Sequence, residues 1–421
     1  MRIDNLRTER QGSQQRIAAT VTWEDNARPM AQVYFETDRA FADELTLNPN
    51  AFVTACLMPA MHHGEQRLAI DAPICPELRN GLLTAMNWLR LWHPQHQLVT
   101  IEAKAEARPI GTRDAKRAAM FLSGGVDSLS TLRLNRLDFP LDHPRSIRDS
   151  IVVHGFDISG TRQMGDQTDL FKRALEALAP VAAESGVSLI PVTTNIRHLD
   201  DDVDFWMYEF HGAALAAVAH SLANRLGTVN IASTYDIRNM KPWGSHPLLD
   251  PNYSSTDLQI RHDSDRLSRL DKVRVLASWD TALCNLRSCT ENDPFVLNCG
   301  KCEKCVRTML ELLAVGKLSQ STAFEANDVT VEMLRPIYFT NRYQESCYCE
   351  VIEPLLAQGR SDLTNLIQAK SEEFQQHLKW TEERDWKGVV KRLDRKHLGS
   401  MLYRSYEKFR TLTKRIEPTR P

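Results

Sequence analysis

The stretch Met120-Phe121-Leu122-Ser123-Gly124-Gly125-Val126-Asp127-Ser128 joins a short apolar run to a segment with helical spacing. The apolar run, 118–122, predicts a strand, and residues 129–137 predict a helix. Two adjacent glycines let the backbone turn tightly and approach a ligand closely. The first N–H groups of a helix have no intrahelical partners, and the helix dipole is positive there. This turn is therefore suited to bind phosphate.

The hexapeptide S-G-G-V-D-S at 123–128 resembles the PP-loop of the ATP pyrophosphatase superfamily, which cleaves ATP into AMP and pyrophosphate. It differs from the kinase P-loop, G-x-x-x-x-G-K-[ST]. A lone Gly-Gly turn would more often just link a strand to a helix, but six matched positions in a strand–turn–helix context favour a nucleotide loop. The resemblance implies that ATP is bound by eight consecutive residues: Phe121, Leu122, Ser123, Gly124, Gly125, Val126, Asp127 and Ser128. It also implies catalytic roles for Asp127 and Ser128, with Asp127 orienting the loop or Mg²⁺.

Length and composition indicate a multidomain globular protein. The chain has 421 residues, 42% hydrophobic and 25% charged, with a net charge of −2. This length predicts two or three domains. The sequence predicts neither a signal peptide nor a membrane-spanning helix. Nine cysteines without an export signal favour a reducing cytoplasm and metal ligation over disulfides.

The alternation of strands and helices after residue 116 predicts the fold class. We expect an α/β protein with a doubly wound parallel sheet, of the adenine nucleotide alpha hydrolase-like (PP-loop) type. We expect residues 1–115 to form a small α+β N-terminal domain and 116–318 to form the ATP-binding domain. Residues 319–421 are predicted to be mainly helical.

Two further segments are predicted at the edge of the sheet that carries the glycine turn. Ligands of such sheets bind at the carboxyl ends of the strands. His154 and Phe156 follow one predicted strand, and the resemblance implies that they lie near the adenosine, although His154 could equally well only cap the strand. Thr234 follows another predicted strand and is a candidate substrate contact.

A polar interval at 238–265 contains three prolines, a glycine and two histidines. A loop of this length inside a compact domain is usually a lid or a binding loop, or is disordered, and its interleaved apolar residues argue against disorder. Its candidate substrate residues are Lys241, His246, Asp250 and His262, and proton transfer in the second step is assigned to His246, Asp250, His262 or Asp263. A lone histidine in such a loop is more often structural. On the following predicted helix, Lys272 has the position where PP-loop enzymes often place a lysine that reaches the ATP phosphates.

Four cysteines, Cys289, Cys299, Cys302 and Cys305, follow in the spacing C-x9-C-x2-C-x2-C. Four thiolates so close along a chain predict a closed, structural zinc site. An iron–sulfur cluster is the alternative. Gly300 permits the turn between neighbouring ligands.

The glycine loop and the four cysteines, about 160 residues apart, are together similar to the QueC family of 7-cyano-7-deazaguanine synthases. The resemblance covers about 116–316 and implies ATP, Mg²⁺ and Zn²⁺ as cofactors. It also implies adenylation of a 7-carboxy-7-deazaguanine-like carboxylate with release of pyrophosphate. Attack by ammonia or an amine would then give an amide, a nitrile or a protein conjugate.

Two departures from the family pattern concern the substrate. The family's Tyr-Pro-Asp-Cys-Arg-like run is absent, and S-H-P-L-L-D-P-N-Y-S-S at 245–255 stands in its place. The chain is also longer than stand-alone synthases and looks more like the long QueC-like proteins of bacterial antiviral gene clusters. The alternatives are a PP-loop enzyme that modifies nucleic-acid bases and a non-catalytic, nucleotide-sensing adaptor.

The terminal segments offer surfaces for partners. From Lys379 onward there are thirteen Lys/Arg against six Asp/Glu. A basic helical tail can contact nucleic acid or an acidic protein, but a solvated amphipathic face fits the pattern equally well. A homodimer is one of the oligomeric states that the sequence leaves open.

Overall fold

The computed structural model of the chain describes residues 1–12, 14–105, 116–291 and 296–384. It shows an α/β protein with a mostly parallel ten-stranded sheet flanked by helices, consistent with a Rossmann-like fold. The chain divides into two compact units, with the second beginning at Leu334. The predicted α/β class with a largely parallel sheet is thus confirmed.

The strands all belong to the first unit. They are β1 Arg2–Gln11, β2 Gln14–Thr22, β3 Ala31–Thr37, β4 Arg67–Ile74, β5 Thr100–Ala105, β6 Arg117–Phe121, β7 Ile147–His154, β8 Ser188–Thr194, β9 Leu226–Ala232 and β10 Gln259–Asp263. Their order in the sheet is β10-β9-β6-β7-β8-β3-β2-β1-β4-β5.

The helices of the first unit lie between these strands or follow the last of them. They are α1 Pro49–His62, α2 Pro76–Trp92, α3 Val126–Asp138, α4 Thr168–Ser185, α5 Val203–Phe205, α6 His211–Ser221, α7 Arg269–Leu276, α8 Asp280–Cys284, α9 Glu303–Ala314 and α10 Val331–Leu334, which ends at the first residue of the second unit. A π-helical turn, Trp206–Phe210, separates α5 from α6.

Five neighbouring strands, β10-β9-β6-β7-β8, are parallel throughout. The chain moves from β6 through β7 to β8 on one side, and then to β9 and β10 on the other side of β6. The strand order therefore reverses beside β6. Ligands of open α/β sheets bind at such a switch point, outside the carboxyl ends of the strands. The glycine turn that follows β6 lies at this place.

The predicted N-terminal domain contributes strands to the same sheet. β3 pairs antiparallel with β8, with Phe35 opposite Thr194, and β2 and β1 continue the sheet beyond β3. The predicted limit at 115 falls in a segment outside the described residues. The domain limits therefore remain predictions, although strand pairing makes the sheet continuous across them.

Two local sequence predictions were wrong. The apolar run at 205–226 predicts one long helix closed by Gly227, but it contains the π-helical turn, its α-helix α6 ends at Ser221, and Leu226 and Gly227 lie in β9. An apolar run that is buried all round fits a buried helix and a buried strand equally well, so the boundary could not be read. The polar interval contains β10, an edge strand in which Ile260 alone is buried.

The second unit is helical as far as it is described. It contains α11 Arg342–Glu350, α12 Ile352–Ala357 and α13 Ser361–Arg384. The carboxylate of Glu345 on α11 accepts hydrogen bonds from Ser371 Oγ at 2.6 Å and Gln375 Nε2 at 2.7 Å, both on α13. Most of the predicted basic tail, from residue 385, lies outside the described residues. None of the described helices is long and apolar enough for a bilayer crossing.

Replacement of Gly81 by alanine should destabilise the protein. In an exposed helix, Gly→Ala usually stabilises by up to about 1 kcal/mol. Here a Cβ would overlap the carbonyl oxygen of Asn252, which is backbone and cannot rotate away. We expect Gly81→Ala to lower the free energy of unfolding by about 1–3 kcal/mol in urea denaturation. Thr84→Ala on the exposed side of α2 is the control and should change it by less than about 0.5 kcal/mol. An unchanged or higher stability of Gly81→Ala would contradict the packing described.

Candidate functional site

The turn between β6 and α3 has the backbone of an anion-binding loop. Gly124 has a φ of +80°, which disfavours any residue with a Cβ, and its carbonyl accepts a hydrogen bond of 2.8 Å from the N–H of Arg287. Gly125 is the N-cap of α3 and provides no side-chain cap. The first N–H groups of α3 therefore remain available to a ligand.

Hydrogen bonds of two serines stabilise this turn. Ser128 Oγ donates to the carbonyl of Gly125 at 3.1 Å and accepts from the N–H of Ser123 at 3.3 Å. Ser123 Oγ accepts from the N–H of Gly125 at 3.3 Å. Ser123 is exposed and Ser128 is buried, so the first can face a ligand while the second holds the loop. Phe121, Leu122 and Val126 are buried, so only their backbones could contact ATP.

Asp127 forms the electrostatic centre of the site. Lys272 Nζ donates to Asp127 Oδ1 at 2.9 Å, and Arg269 Nη1 donates to Asp127 Oδ2 at 3.2 Å. Lys272 also donates to the carbonyl of Ser233, just after β9. Burial by itself would raise the pKa of Asp127, but Lys272 and Arg269 outweigh it and lower the pKa. The carboxylate is therefore ionised, and it lies beside the start of α3.

The same cluster extends to the helix that follows the cysteines. Arg269 also donates to Glu311 Oε2 at 3.1 Å and to Thr308 Oγ1 at 3.3 Å, both on α9. Burial raises the pKa of Glu311, and the arginines 269 and 307 oppose this rise. Arg269 therefore connects the glycine turn to α9.

The two adenosine-side candidates have different surroundings. His154 is half-buried, stacks on Phe171 with ring centroids 4.8 Å apart, and its Nε2 is 3.0 Å from Ser159 Oγ. Burial lowers the pKa of His154. Phe156 is only 5% exposed and packs against Trp206. Phe156 thus lies in the core, where its side chain could reach a nucleoside only after a rearrangement.

The candidate Lys241 lies among three aromatic rings. Its Nζ is 5.7 Å from the ring centroid of Tyr208 and 5.1 Å from those of Tyr235 and Trp243. Burial lowers the pKa of Lys241. Thr234, next to Tyr235, is partly exposed. We call Lys241, Tyr208, Tyr235 and Trp243 the aromatic cluster.

The remaining substrate candidates form a buried network. Asp250 has no exposed surface, and its Oδ2 is 2.7 Å from His262 Nδ1 and accepts from Ser245 Oγ at 2.6 Å. His246 is buried, and its Nδ1 accepts from the N–H of Leu248. The contact of Asp250 with His262 fixes the first part of the polar interval onto β10. Direct substrate contact by these residues stays a prediction, whereas the described contacts are structural.

The four cysteines 289, 299, 302 and 305 converge as predicted. Their sulfur atoms all lie within 4.8 Å of one another, with Cys289 Sγ and Cys302 Sγ, as well as Cys299 Sγ and Cys305 Sγ, at 3.9 Å. A tetrahedral zinc site with bonds of about 2.3 Å places its sulfurs about 3.8 Å apart. The cluster could therefore hold a metal ion such as zinc. Cys284 lies outside it, near the carbonyl of Gln320.

Asn298 ties together the chain segments that carry the cysteines. Its Oδ1 accepts from the N–H groups of Ser288 at 2.8 Å and Cys289 at 3.3 Å. Its Nδ2 donates to the carbonyls of Leu286 and Ala323. Arg287, in the same segment, hydrogen-bonds to the glycine turn, so the cysteine cluster is attached directly to that turn.

Four residues of the site were missed by sequence reasoning: Arg269, Arg287, Asn298 and Glu311. Arg269 precedes Lys272 by three residues, which places both on one face of a helix, and this spacing could have indicated it. Arg287 lies two residues before the first cysteine, but nothing in the sequence indicates that its N–H reaches Gly124. Glu311 has no sequence signal because its partner Arg269 is distant in the chain, and no spacing pattern indicates that the side chain of Asn298 folds back onto 286–289.

Comparison of the chain with protein-family models, curated proteins and solved structures found no match in any of the three.

Replacement of Cys302 by serine should remove one bound metal ion per chain and lower the melting temperature. A closed thiolate site contributes about 10 kcal/mol of binding free energy in zinc-finger peptides, and the site here connects α9 to the glycine turn. Metal analysis and thermal unfolding measure both effects. Cys284→Ser removes a thiol outside the cluster and should retain the ion. Equal metal content in the two variants would refute the assignment.

Proposed function

We propose that the chain is a QueC-like, AMP-forming, ATP-dependent enzyme that adenylates a carboxylate, as in 7-carboxy-7-deazaguanine, and passes the acyl group to ammonia or an amine. The observation that carries the proposal is the contact of Asp127 with Lys272 at the start of α3. A helix start with glycines before it suits a phosphate, and a carboxylate beside a bound phosphate is tolerated only when cations balance the two negative charges.

The residues around the glycine turn suit the pyrophosphate leaving group. In adenylation, the substrate carboxylate attacks the α-phosphate and the bond to the β-phosphate breaks. Negative charge grows on pyrophosphate, and fixed N–H groups and cations stabilise it without reorganisation. The N–H groups of 124–128 and the ammonium of Lys272 would stabilise this charge. No nucleophilic side chain is needed.

The carboxylate of Asp127 fits a role in Mg²⁺ binding. Mg²⁺ usually takes one or two carboxylates together with phosphate oxygens. The Asp127 side chain is 27% exposed, so it can reach both solvent and Lys272. Bound Mg²⁺ would neutralise phosphate charge. Lys272 would then exchange part of its contact with Asp127 for a phosphate oxygen.

The aromatic cluster suits a planar heterocyclic acid. Tyr208, Tyr235 and Trp243 offer ring faces and edges, and the Lys241 ammonium can pair with a carboxylate. The segment leading to Tyr235 begins at Ser233, whose carbonyl accepts from Lys272. Because this segment follows β9, next to β6, we place the acid on this side of the switch point.

The decisive experiment measures the products of ATP. Purified, metal-loaded protein with Mg²⁺-ATP and 7-carboxy-7-deazaguanine should release AMP and pyrophosphate, and Asp127→Asn should lower this rate at least about 100-fold. The control Asp271→Asn removes a carboxylate of α7 that pairs with Arg274 at the surface, and it should retain activity. Formation of ADP would contradict the proposal. ATP binding without turnover for any planar acid would also contradict it and would favour a nucleotide sensor.

Replacement of Lys241 by methionine should weaken binding of the acid while leaving ATP affinity unchanged. A charge-assisted hydrogen bond contributes about 1.5–3 kcal/mol, so KM for the acid should rise about 10- to 100-fold. Steady-state kinetics with each substrate varied in turn give the comparison. Lys172→Met, at an exposed position of α4, is the matched control. Equal KM values for the acid would remove Lys241 from the substrate site.

A further inference from the structure

A second group of metal-binding side chains lies in the first unit, built from residues that are not among the cysteines. Two histidines end α1 or follow it, two more follow α2, and two carboxylates lie between β8 and α6. The residues are His62, His63, His93, His96, Asp200 and Glu209. We call them the histidine–carboxylate cluster.

Three of these residues converge on one point. His62 Nδ1 is 3.9 Å from Glu209 Oε1, and His96 Nε2 is 2.7 Å from Glu209 Oε2. One donor atom from each of these residues lies within 4.8 Å of the other two. A metal with bonds of about 2.0–2.2 Å separates tetrahedral donors by about 3.4 Å. Small side-chain rotations therefore suffice to bring all three onto one ion.

His93 lies beside this point. Its Nδ1 is 3.8 Å from Glu209 Oε1, and its ring centroid is 5.9 Å from that of His96. The side chains of His62 and His93 are 28% and 20% exposed, whereas that of His96 is 4% exposed. The cluster is thus closed on one side and open to water on the other.

Asp200 lies near the second ring nitrogen of His62 and also pairs with His63. Asp200 Oδ2 is 3.6 Å from His62 Nε2 and 2.7 Å from His63 Nε2. A carboxylate at the second ring nitrogen is the usual support of a metal-ligating histidine, since it orients the ring and raises its basicity. Asp200 is buried at 6% exposure, and its own Oδ1 accepts from the N–H of Asp202 at 2.8 Å.

Two histidine nitrogens of the cluster, His62 Nδ1 and His93 Nε2, are buried without a hydrogen-bond partner among the described residues. His63 Nε2, His96 Nε2 and Asp200 Oδ2 also lack a well-aligned hydrogen bond, but each lies 2.7 Å from an ion-pair partner. An unsatisfied buried polar group costs about 1–3 kcal/mol, and such groups are rare in native proteins. His62 Nδ1, which has no hydrogen bond, lies beside the carboxylate of Glu209 and near His96, which is more than nine-tenths buried, and this arrangement points to a cation.

The backbone at Glu209 is also unusual. Glu209 lies in the π-helical turn Trp206–Phe210, and π-helical turns within α-helices are often found at functional sites. The extra residue of the turn changes the direction in which the following side chains leave the helix. The His62 ring packs on Phe205, with centroids 4.2 Å apart, and this contact helps to hold the ring in position.

We propose that the histidine–carboxylate cluster is a second metal centre, in which His62 Nδ1, His96 Nε2 and the Glu209 carboxylate bind one divalent transition-metal ion of the zinc class. A set of imidazole and carboxylate donors without thiolates suits Zn²⁺, Co²⁺, Mn²⁺ or Fe²⁺ and is poor for Mg²⁺. Three protein ligands leave a position for water, which is typical of reactive rather than purely structural zinc sites.

The centre is tested with Co²⁺ as a spectroscopic probe on the full chain after removal of metal. Wild-type protein should bind two equivalents. The ion in the cysteine cluster gives intense near-ultraviolet bands from thiolate-to-metal charge transfer, and the ion in the histidine–carboxylate cluster gives only weak visible bands. A single equivalent with thiolate bands would overturn the proposal and leave a plain network of ion pairs.

Two variants separate the sites. The double substitution His62→Gln with Glu209→Gln should raise the dissociation constant of the non-thiolate equivalent about 100-fold or more and leave the thiolate bands unchanged. His143→Gln, at an exposed histidine that stacks on Phe139, should bind both ions as the wild type does. Two equivalents bound with wild-type affinity by the double variant would also overturn the proposal.

A third variant keeps the test valid if the double variant does not fold. Cys302→Ser disrupts only the cysteine cluster, and it should still bind one Co²⁺ with weak visible bands and no thiolate bands. Failure to bind that ion would count against the centre. None of these readouts depends on ATP turnover, so their outcome is separate from that of the adenylation assay.

Discussion

The carboxylate of Asp127 accepts hydrogen bonds from Lys272 and Arg269, which lie more than 140 residues further along the chain. A charge that is largely removed from water must be compensated, because the cost of desolvation otherwise exceeds what the fold can supply. Two cations meet this requirement, and one of them also binds Glu311 on α9. The glycine turn, α7 and α9 are therefore held in one arrangement by Arg269, which pairs with both Asp127 and Glu311.

That arrangement depends on the order of the strands. Because β6 lies between β7 and β9, the turn after β6 lies at the switch point, and the segments after β9 and β10 reach it from the same edge. Because these segments are close together, Lys272 contacts both Asp127 and the carbonyl of Ser233. The strands of the N-terminal segment extend the sheet beyond β8, on the side away from the glycine turn.

The two metal-binding clusters differ in how they are built. The cysteine cluster is local: its ligands lie within 17 residues, and Asn298 and Gly300 shape the chain between them. The histidine–carboxylate cluster assembles from the ends of α1 and α2 and from the connection between β8 and α6. The cysteine cluster needs only a short folded segment. The histidine–carboxylate cluster forms only when α1, α2 and the connection between β8 and α6 have packed together.

The sequence by itself determined the features whose residues are neighbours along the chain. The strand–turn–helix at 118–137, the alternation that predicts a parallel sheet and the spacing of the four cysteines are all local patterns, because glycine dihedrals, hydrophobic periodicity and chelate size act over short distances. Only the tertiary structure decided which distant groups meet. Packing between elements that are distant in the sequence decided the pairing of Arg269 with Glu311, the contact of the Arg287 N–H with Gly124, the burial of Phe156 and Asp250, and the meeting of His62, His96 and Glu209. Such packing leaves no periodic pattern in the sequence, because the residues of each element do not indicate which distant element they will contact.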